Sequence, residues 1–414
     1  MANGYMGKIL NVDLTTGSIE SEALSESLCQ DYIGGYGIGA RLLYDRIPAG
    51  ADPLGPDNIL GLLTGPLTGT PAIIGSRFVA VGKSPKTAGG WGDANCGGYF
   101  GPHLKFAGFD GVLFKGIADK PVYLMIDEGQ AELLDAGDLW GQGVTSLEDL
   151  LTERHGKDIQ ICSIGPAGEK LSLTACIMND KERAAGRSVL GAVMGSKKLK
   201  AVVIKGKMKV PLHDEGKMKE LRKKYLKEAT GAYEVFNKYG TAGITHDAIL
   251  SGDSPVKNWG GAGTTDFPSE PSRKISDDAV IGMEGYKPYG CWHCPIACGG
   301  KLAQKGGQFS LELNEGIGHK PEYETLAMFG ANLLNDDLPS IVKVNEICNN
   351  YGMDTITVGA TIGYAIECYE NGLITAADTD GLEMTWGNAE SIVAMTEKIG
   401  KREGFGEVLA DGVK

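Results

Sequence analysis

Three observations predict an α+β protein whose first half is rich in strands and whose second half is mainly helical. Up to about residue 210, short runs of β-type residues alternate with Gly, Asn and Asp turns. Beyond Val210-Pro211 the chain changes to longer stretches with helical periodicity. At 414 residues it exceeds one comfortable core, so two domains are expected, 1–210 and 211–414.

The strand-rich part is read in order. Lys8 to Leu14 runs into the turn Thr15-Thr16-Gly17 and then Ser18-Ile19-Glu20, a hairpin signal. Val112-Leu113-Phe114, Val122 to Ile126 and Ala131 to Leu134 are further strands, as are Ile159 to Ile164 and Leu199 to Ile204. A helix is predicted near Thr145 to Glu153, with Thr145 and Glu148 spaced as a capping box. In the second part, helices are predicted over Gly216 to Ala229, Pro339 to Asn350 after the capping Asp336-Asp337, Ala360 to Glu370 stopped by Asn371-Gly372, and Ala389 to Arg402.

Composition narrows the class. Hydrophobic residues make up 42% and no run approaches the ~20 apolar residues of a membrane span. The first residues, Met-Ala-Asn-Gly-Tyr-Met-Gly-Lys, do not read as a secretory signal. Nine scattered cysteines suit a reducing cytoplasm. A net charge of −13 argues against nucleic acid or an anionic membrane, while leaving room for small basic patches that dock an acidic electron carrier. Glycine is the outlier, 62 of 414 against a usual share of ~7%. It clusters at 34–39, 89–92, 97–98 and 260–263. Close backbone approach to a ligand and turn-rich β structure are the two explanations.

The chemistry centres on Cys291-Trp-His-Cys294-Pro-Ile-Ala-Cys298. Three thiolates within eight residues suit an iron–sulfur cluster. Zinc with His293 as a further ligand, and plain structural thiols, are the alternatives. A cubane uses four cysteines, and no fourth lies nearby. Cys96, Cys162, Cys176, Cys348 and Cys368 read as buried apolar side chains, and His246 and His319 as weak ligand candidates.

Several ordered stretches carry a resemblance: Thr64-Gly65-Pro66-Leu67-Thr68-Gly69-Thr70, Ser76-Arg77, Asn95 to Gly101, Arg183-Ala184-Ala185-Gly186-Arg187, Gly191 to Lys197, the cysteine trio, Pro321-Glu322-Tyr323-Glu324-Thr325 and Asn349 to Asp354. With these the chain resembles the tungsten-containing aldehyde:ferredoxin oxidoreductase family over essentially its whole length. The resemblance implies a β-rich N-terminal domain that seats a tungsten (or molybdenum) bis-pyranopterin, with a [4Fe–4S] cluster close by. It implies that Cys291, Cys294 and Cys298 bind irons and that Arg77 lies between cluster and pterin. Asn95 and Ala184 would offer carbonyls to a Mg2+ bridging the pterin phosphates. Gly97, Gly98, Arg183, Gly186 and Arg187 would line the cofactor, and Asn349, Gly352, Met353 and Asp354 would form the first pterin segment. Glu324 would be the catalytic carboxylate.

The implied activity is oxidation of a small aldehyde to its carboxylate, with electrons passed to ferredoxin or a ferredoxin-like subunit in the cytoplasm. A class II benzoyl-CoA reductase catalytic subunit and a truncated non-catalytic fragment are the other readings. The sequence departs from the family at Asn349 and Met353, where aspartate and leucine are usual, and at Lys343-Val344-Asn345-Glu346, where an intersubunit metal motif is usual. That motif metal is not expected here, and the oligomeric state stays open. A third helical domain, with the fourth cysteine and second pterin segment, is expected beyond residue 414.

Overall fold

The computed structural model describes residues 2–413. One compact unit runs through Glu228 and takes in Cys291–Pro295; the other comprises Ala229–Gly290 and the chain from Ile296 onward. The helix Glu215–Ala232 carries the chain past the expected domain limit, and Cys291 and Cys294 return to the first unit.

Two six-stranded sheets form the first unit. The first contains β1 (Lys8–Asp13), β2 (Ser18–Ala23), β3 (Leu60–Thr64), β4 (Phe78–Lys83), β5 (Trp91–Cys96) and β6 (Gly111–Lys115), in the order β2-β1-β6-β3-β4-β5. The second contains β7 (Val122–Asp127), β8 (Gln130–Asp135), β9 (Gln160–Ser163), β10 (Ile177–Asn179), β11 (Arg183–Ala185) and β12 (Leu199–Lys205), ordered β11-β10-β9-β12-β7-β8. Each sheet has one parallel pair, β1 with β6 and β7 with β12.

Side-chain alternation explains the layering. Leu10, Val12, Leu60, Leu62, Phe78 and Ala80 point into a core shared with Leu124, Ile126, Val202 and Ile204. The intervening residues face outward to helices. Ile9, Leu63, Val79 and Val81 pack on Ile38, Leu42 and Leu43 of the helix Gly35–Arg46. Tyr123, Met125, Ile161 and Val203 pack on Leu147 and Leu151 of the helix Val144–His155.

Two expectations are corrected here. The glycines at 35–39 lie in a helix rather than in turn-rich β structure. A Cβ on Gly37 would stand 2.2 Å from the Tyr32 carbonyl oxygen, and one on Gly39 would stand 2.8 Å from Leu63 Cδ1, so close packing selects glycine. The helix Val144–His155 has Gly143 as its N-cap with no side-chain cap, so Thr145 and Glu148 do not form a capping box. Glu148 instead is buried and accepts the Lys181 N–H at 2.7 Å.

The second unit is mainly helical. Its small sheet joins β13 (Lys287–Tyr289), β14 (Gly299–Ala303) and β15 (Ile317–His319). Asp337 caps the helix Leu338–Tyr351 by accepting from Ser340 N–H, and Gly352, with φ +71°, ends it. Asp354 caps the next helix, Thr355–Glu370, which starts earlier than the sequence pattern indicates. Asn388 caps Ala389–Lys401. Among the described residues no helix is long and apolar enough to cross a membrane.

Candidate functional site

Of the residues expected at the cofactor, Arg77, Asn95, Gly97 and Gly98 gather in the first unit around the end of β5. The Arg77 Nε donates to the Asn95 side-chain oxygen, and its Nη2 donates to the Asn95 carbonyl at 3.2 Å. The Arg77 carbonyl accepts from Thr68 Oγ1 at 2.8 Å, and that hydroxyl oxygen accepts from Gly65 N–H at 3.2 Å. Arg77 and Asn95 line a cleft of about 250 Å³ with Gly34, Gly35, Gly65 and Thr68. The helix Gly35–Arg46 thus brings its glycine-rich first turn to the cleft edge, where backbone replaces side chains. A larger cavity, about 430 Å³, is lined by Asn11, Asp13, Glu20, Arg46 and Lys115 at the β1–β2 end of the sheet. None of the expected site residues lines it, and Arg46 and Lys115 are paired with Glu22 and Asp13. Of the two, the small cleft is the one lined by expected site residues.

The cysteine loop meets the same region. A Cβ on Gly97 would lie 2.7 Å from Cys291 Sγ and 3.6 Å from Arg77 Nη1, so only glycine lets thiol and guanidinium share this corner. The Gly98 carbonyl accepts the Trp292 N–H at 3.2 Å, and the His293 carbonyl accepts from Ile74 N–H at 3.4 Å. All nine cysteines are free thiols; Cys291, Cys294 and Cys298 are half-buried. Cys96, Cys162, Cys176 and Cys348 are buried as expected, while Cys368 is half-buried. Cys298 belongs to the second unit. Among the described residues no three His, Cys, Asp or Glu side chains gather closely enough to hold a metal ion.

Behind this loop lies a turn that sequence reasoning missed. Asp180 and Lys181, both with positive φ, connect β10 to β11. Asp180 Oδ2 accepts the Tyr99 N–H at 3.0 Å, and Asn179 Nδ2 donates to Cys96 Sγ at 2.9 Å. Burial pushes the Asp180 carboxyl up to about 6, against the opposing pull of Arg183 and the Tyr99 N–H. Burial also pushes the Cys96 thiol up to about 12, despite the nearby Arg77 and Arg183 charges. The signal was present in the strand-like Ile177-Met178-Asn179 and the Arg183-Ala184-Ala185 match, but no rule of spacing joined them across the turn.

Ala184 is exposed on β11, Gly186 is half-buried, and Arg187 is exposed. Ser188 ties this segment to β5: its hydroxyl donates to the Asp93 carbonyl at 2.8 Å and accepts from the Asp93 N–H at 3.1 Å.

In the second unit, Asn349, Gly352, Met353 and Asp354 form the link between two helices. Asn349 and Met353 are buried. Asp354 accepts from Ile356 N–H, Thr357 N–H and Thr357 Oγ1 at 3.1, 3.3 and 2.6 Å. Glu324 is exposed in the first turn of the helix Tyr323–Phe329, where the helix dipole favours a carboxylate. Two residues earlier, Glu322 is held by the buried Lys320 at 3.1 Å and by the Thr241 hydroxyl. Burial raises the Glu322 carboxyl, but Lys320, His319 and the hydrogen bonds outweigh it and leave it below the ordinary range. At the motif position that departs from the family, Lys343 pairs with Glu312 at 2.9 Å and Glu346 at 2.8 Å. His246 Nδ1 lies 2.7 Å from Ser272 Oγ, and His319 packs edge-on against Tyr289.

Comparison with known proteins decides the family. The model for the N-terminal domain of aldehyde ferredoxin oxidoreductase matches residues 9–206, and that for its domains 2 and 3 matches residues 217–414. The chain belongs to the aldehyde ferredoxin oxidoreductase family. It is 42% identical, over 99% of its length, to the tungsten-containing aldehyde ferredoxin oxidoreductase of Pyrococcus abyssi. It is 32% identical to the WOR-like subunit of an aliphatic sulfonate oxidoreductase of Pyrococcus furiosus. In each case it spans 66% of the relative's length. The active-site complex of benzoyl-coenzyme A reductase, solved with 1,5-dienoyl-CoA, matches all of this chain and 62% of that one, with a TM-score of 0.87 and 28% identity. An α+β aldehyde ferredoxin oxidoreductase fold is thereby shown.

The residues fit the family's cofactors in two respects. The side-chain-free corner at Gly97 admits the Cys291 sulfur beside a guanidinium. The cleft bordered by Gly34, Gly35 and Gly65 exposes backbone beside Arg77 and Asn95, as a flat ligand with anionic groups requires.

Proposed function

We propose that the protein containing this chain oxidises aldehydes to carboxylic acids at a tungsten, or molybdenum, bis-pyranopterin and passes the electrons through a [4Fe–4S] cluster to ferredoxin. The single observation that carries this reading is the convergence of Arg77, Asn95, Gly97 and Cys291 in one corner of a chain that the family matches over residues 9–206 and 217–414. Cys291, Cys294 and Cys298 would hold the cluster, and Arg77 with Asn95 would hold the pterin. When bound, these groups supply a two-electron acceptor and a one-electron relay.

The protein's own residues carry positioning and proton transfer. Aldehyde and water give a carboxylic acid, two protons and two electrons. Glu324 would take a proton from the attacking water. The Arg77 guanidinium, hydrogen-bonded to Asn95, would orient the cofactor and offset its anionic charge. Gly352, Met353 and Asp354, at a capped helix junction, would hold the pterin.

The benzoyl-CoA reductase reading is favoured by the structural likeness alone. Identity favours the aldehyde enzymes, 42% against 28%. The test is anaerobic purification of the full natural chain, elemental analysis and aldehyde-dependent viologen reduction. About one tungsten and four irons per chain are expected. Glu324→Gln should retain the metals and lose kcat by roughly 10²–10⁴-fold. A metal-loaded protein that oxidises a dienoyl-CoA but no aldehyde would overturn the reading.

A further inference from the structure

The helix Glu215–Ala232 carries six basic and three acidic side chains, a net of +3 within a chain of net −13. It is exposed along nearly its whole length; Ala229 is its one buried residue. Lys219, Lys223 and Lys227 follow one another at i, i+4 and i+8, which stacks them on a single face one turn apart. All three are exposed. Like charges in this spacing destabilise a helix by roughly 0.2–0.5 kcal/mol per pair, so the stripe is not explained by stability.

Its position supplies a reason. Arg222, which flanks the stripe, donates from Nη1 to the Pro71 carbonyl at 2.7 Å and lies 3.5 Å from His293 Nδ1. His293 sits between Cys291 and Cys294 and stacks on Trp292, with ring centroids 3.7 Å apart. The basic helix is therefore anchored on the cysteine loop itself. Leu226, 37% exposed and three residues after Lys223, adds apolar contact beside the charges. A positively charged stripe bordered by a leucine matches the composition of a charge-steered docking surface.

We propose that Lys219, Lys223 and Lys227, with Arg222, form the docking surface for an acidic electron-carrier protein that exchanges electrons with a cluster held at Cys291 and Cys294. The inference rests on the cluster assignment made above and adds the surface to it. Charge steering of this kind raises the association rate and fades with ionic strength.

The test uses the full natural chain, loaded with its metals, and a purified acidic [4Fe–4S] ferredoxin as probe. A triple variant, Lys219→Gln, Lys223→Gln and Lys227→Gln, keeps helix propensity while removing the charge. Its KM for ferredoxin should rise about tenfold or more at low salt, and the salt dependence should flatten. Viologen-linked turnover should be unchanged, and the matching triple Lys→Arg variant should retain the native KM. An unchanged ferredoxin KM in the Gln variant overturns the proposal. So does failure of Lys219, Lys223 and Lys227 to react with an amine-specific reagent in the unliganded full chain, which would mean that the rest of the polypeptide covers this face. If the native protein reduces no dye with any aldehyde, the aldehyde reading fails separately. Ferredoxin binding by titration calorimetry then decides the surface: tenfold weaker binding by the Gln variant sustains it, equal binding refutes it.

Discussion

Replacing Gly98 with alanine tests the cradle directly. Gly98 has φ +103°, a conformation that costs an L-residue about 1–3 kcal/mol. A Cβ there would also stand 2.3 Å from Asp180 Oδ2 and 2.4 Å from Asn179 Oδ1. Neither atom can retreat freely, because Asp180 holds the Tyr99 N–H and Asn179 holds Cys96 Sγ. Overpacking of this kind costs a further 1–3 kcal/mol or so. The total, about 2–6 kcal/mol, corresponds to a fall in Tm of roughly 5–20 °C for a unit of this size. Gly50→Ala is the control: its φ is +76°, yet nothing lies within 4 Å of the added carbon. It should lose only the backbone cost, about 1–2 kcal/mol. Thermal scanning of both variants, with iron per chain measured alongside, reads the difference. Gly98→Ala should lose more stability and also lose iron, because the Gly98 carbonyl holds the Trp292 N–H. Adding Asp180→Gly to Gly98→Ala should restore part of the loss. Equal losses in the two single glycine variants, or strict additivity in the double, would refute the steric account.

Further expectations follow from buried charge and from the cysteine loop. Asp110→Ala strips the buried Lys105 of its partner at 3.1 Å and should cost about 3–5 kcal/mol in denaturant titration; Lys105→Met added to it should recover part of that. Burial pushes the Glu148 carboxyl from 4.5 up to about 8, against the Lys181 N–H. The native state therefore holds a proton that the unfolded chain releases, so this group's contribution is full below pH 4.5 and is lost as pH rises through about 8. Glu148→Gln, which keeps an acceptor for Lys181, should flatten stability across that window in a series of thermal melts. Cys294→Ser should lower iron per chain and weaken the paramagnetic signal of the reduced protein, with the far-ultraviolet spectrum unchanged.

The parts of the fold legible in the sequence are those where local pattern and tertiary need agree. The β1–β2 hairpin and the capped helices at Leu338–Tyr351 and Ala389–Lys401 are of this kind. The helix Gly35–Arg46 was hidden because its glycines are poor helix formers in isolation. They are there because the backbone must lie against Tyr32 and Leu63, a constraint that no local window contains. Thr145 and Glu148 satisfied a capping spacing, but the helix starts at Val144 and Glu148 is drawn inward to Lys181.

The site divides along the same line. Arg77, Asn95, Gly97 and Cys291 were reached through ordered motifs, and the structure joins the four around one corner. Asn179 and Asp180, which brace that corner from behind, carry no motif of their own because their role depends on a strand turn more than 80 residues from Gly98 in sequence. The same holds for the lysine stripe: Lys219, Lys223 and Lys227 read locally as an ordinary solvated helix face. Only the contact of Arg222 with His293 gives that charge a location, and a location beside two thiols is what turns a solvated face into a candidate route for electrons.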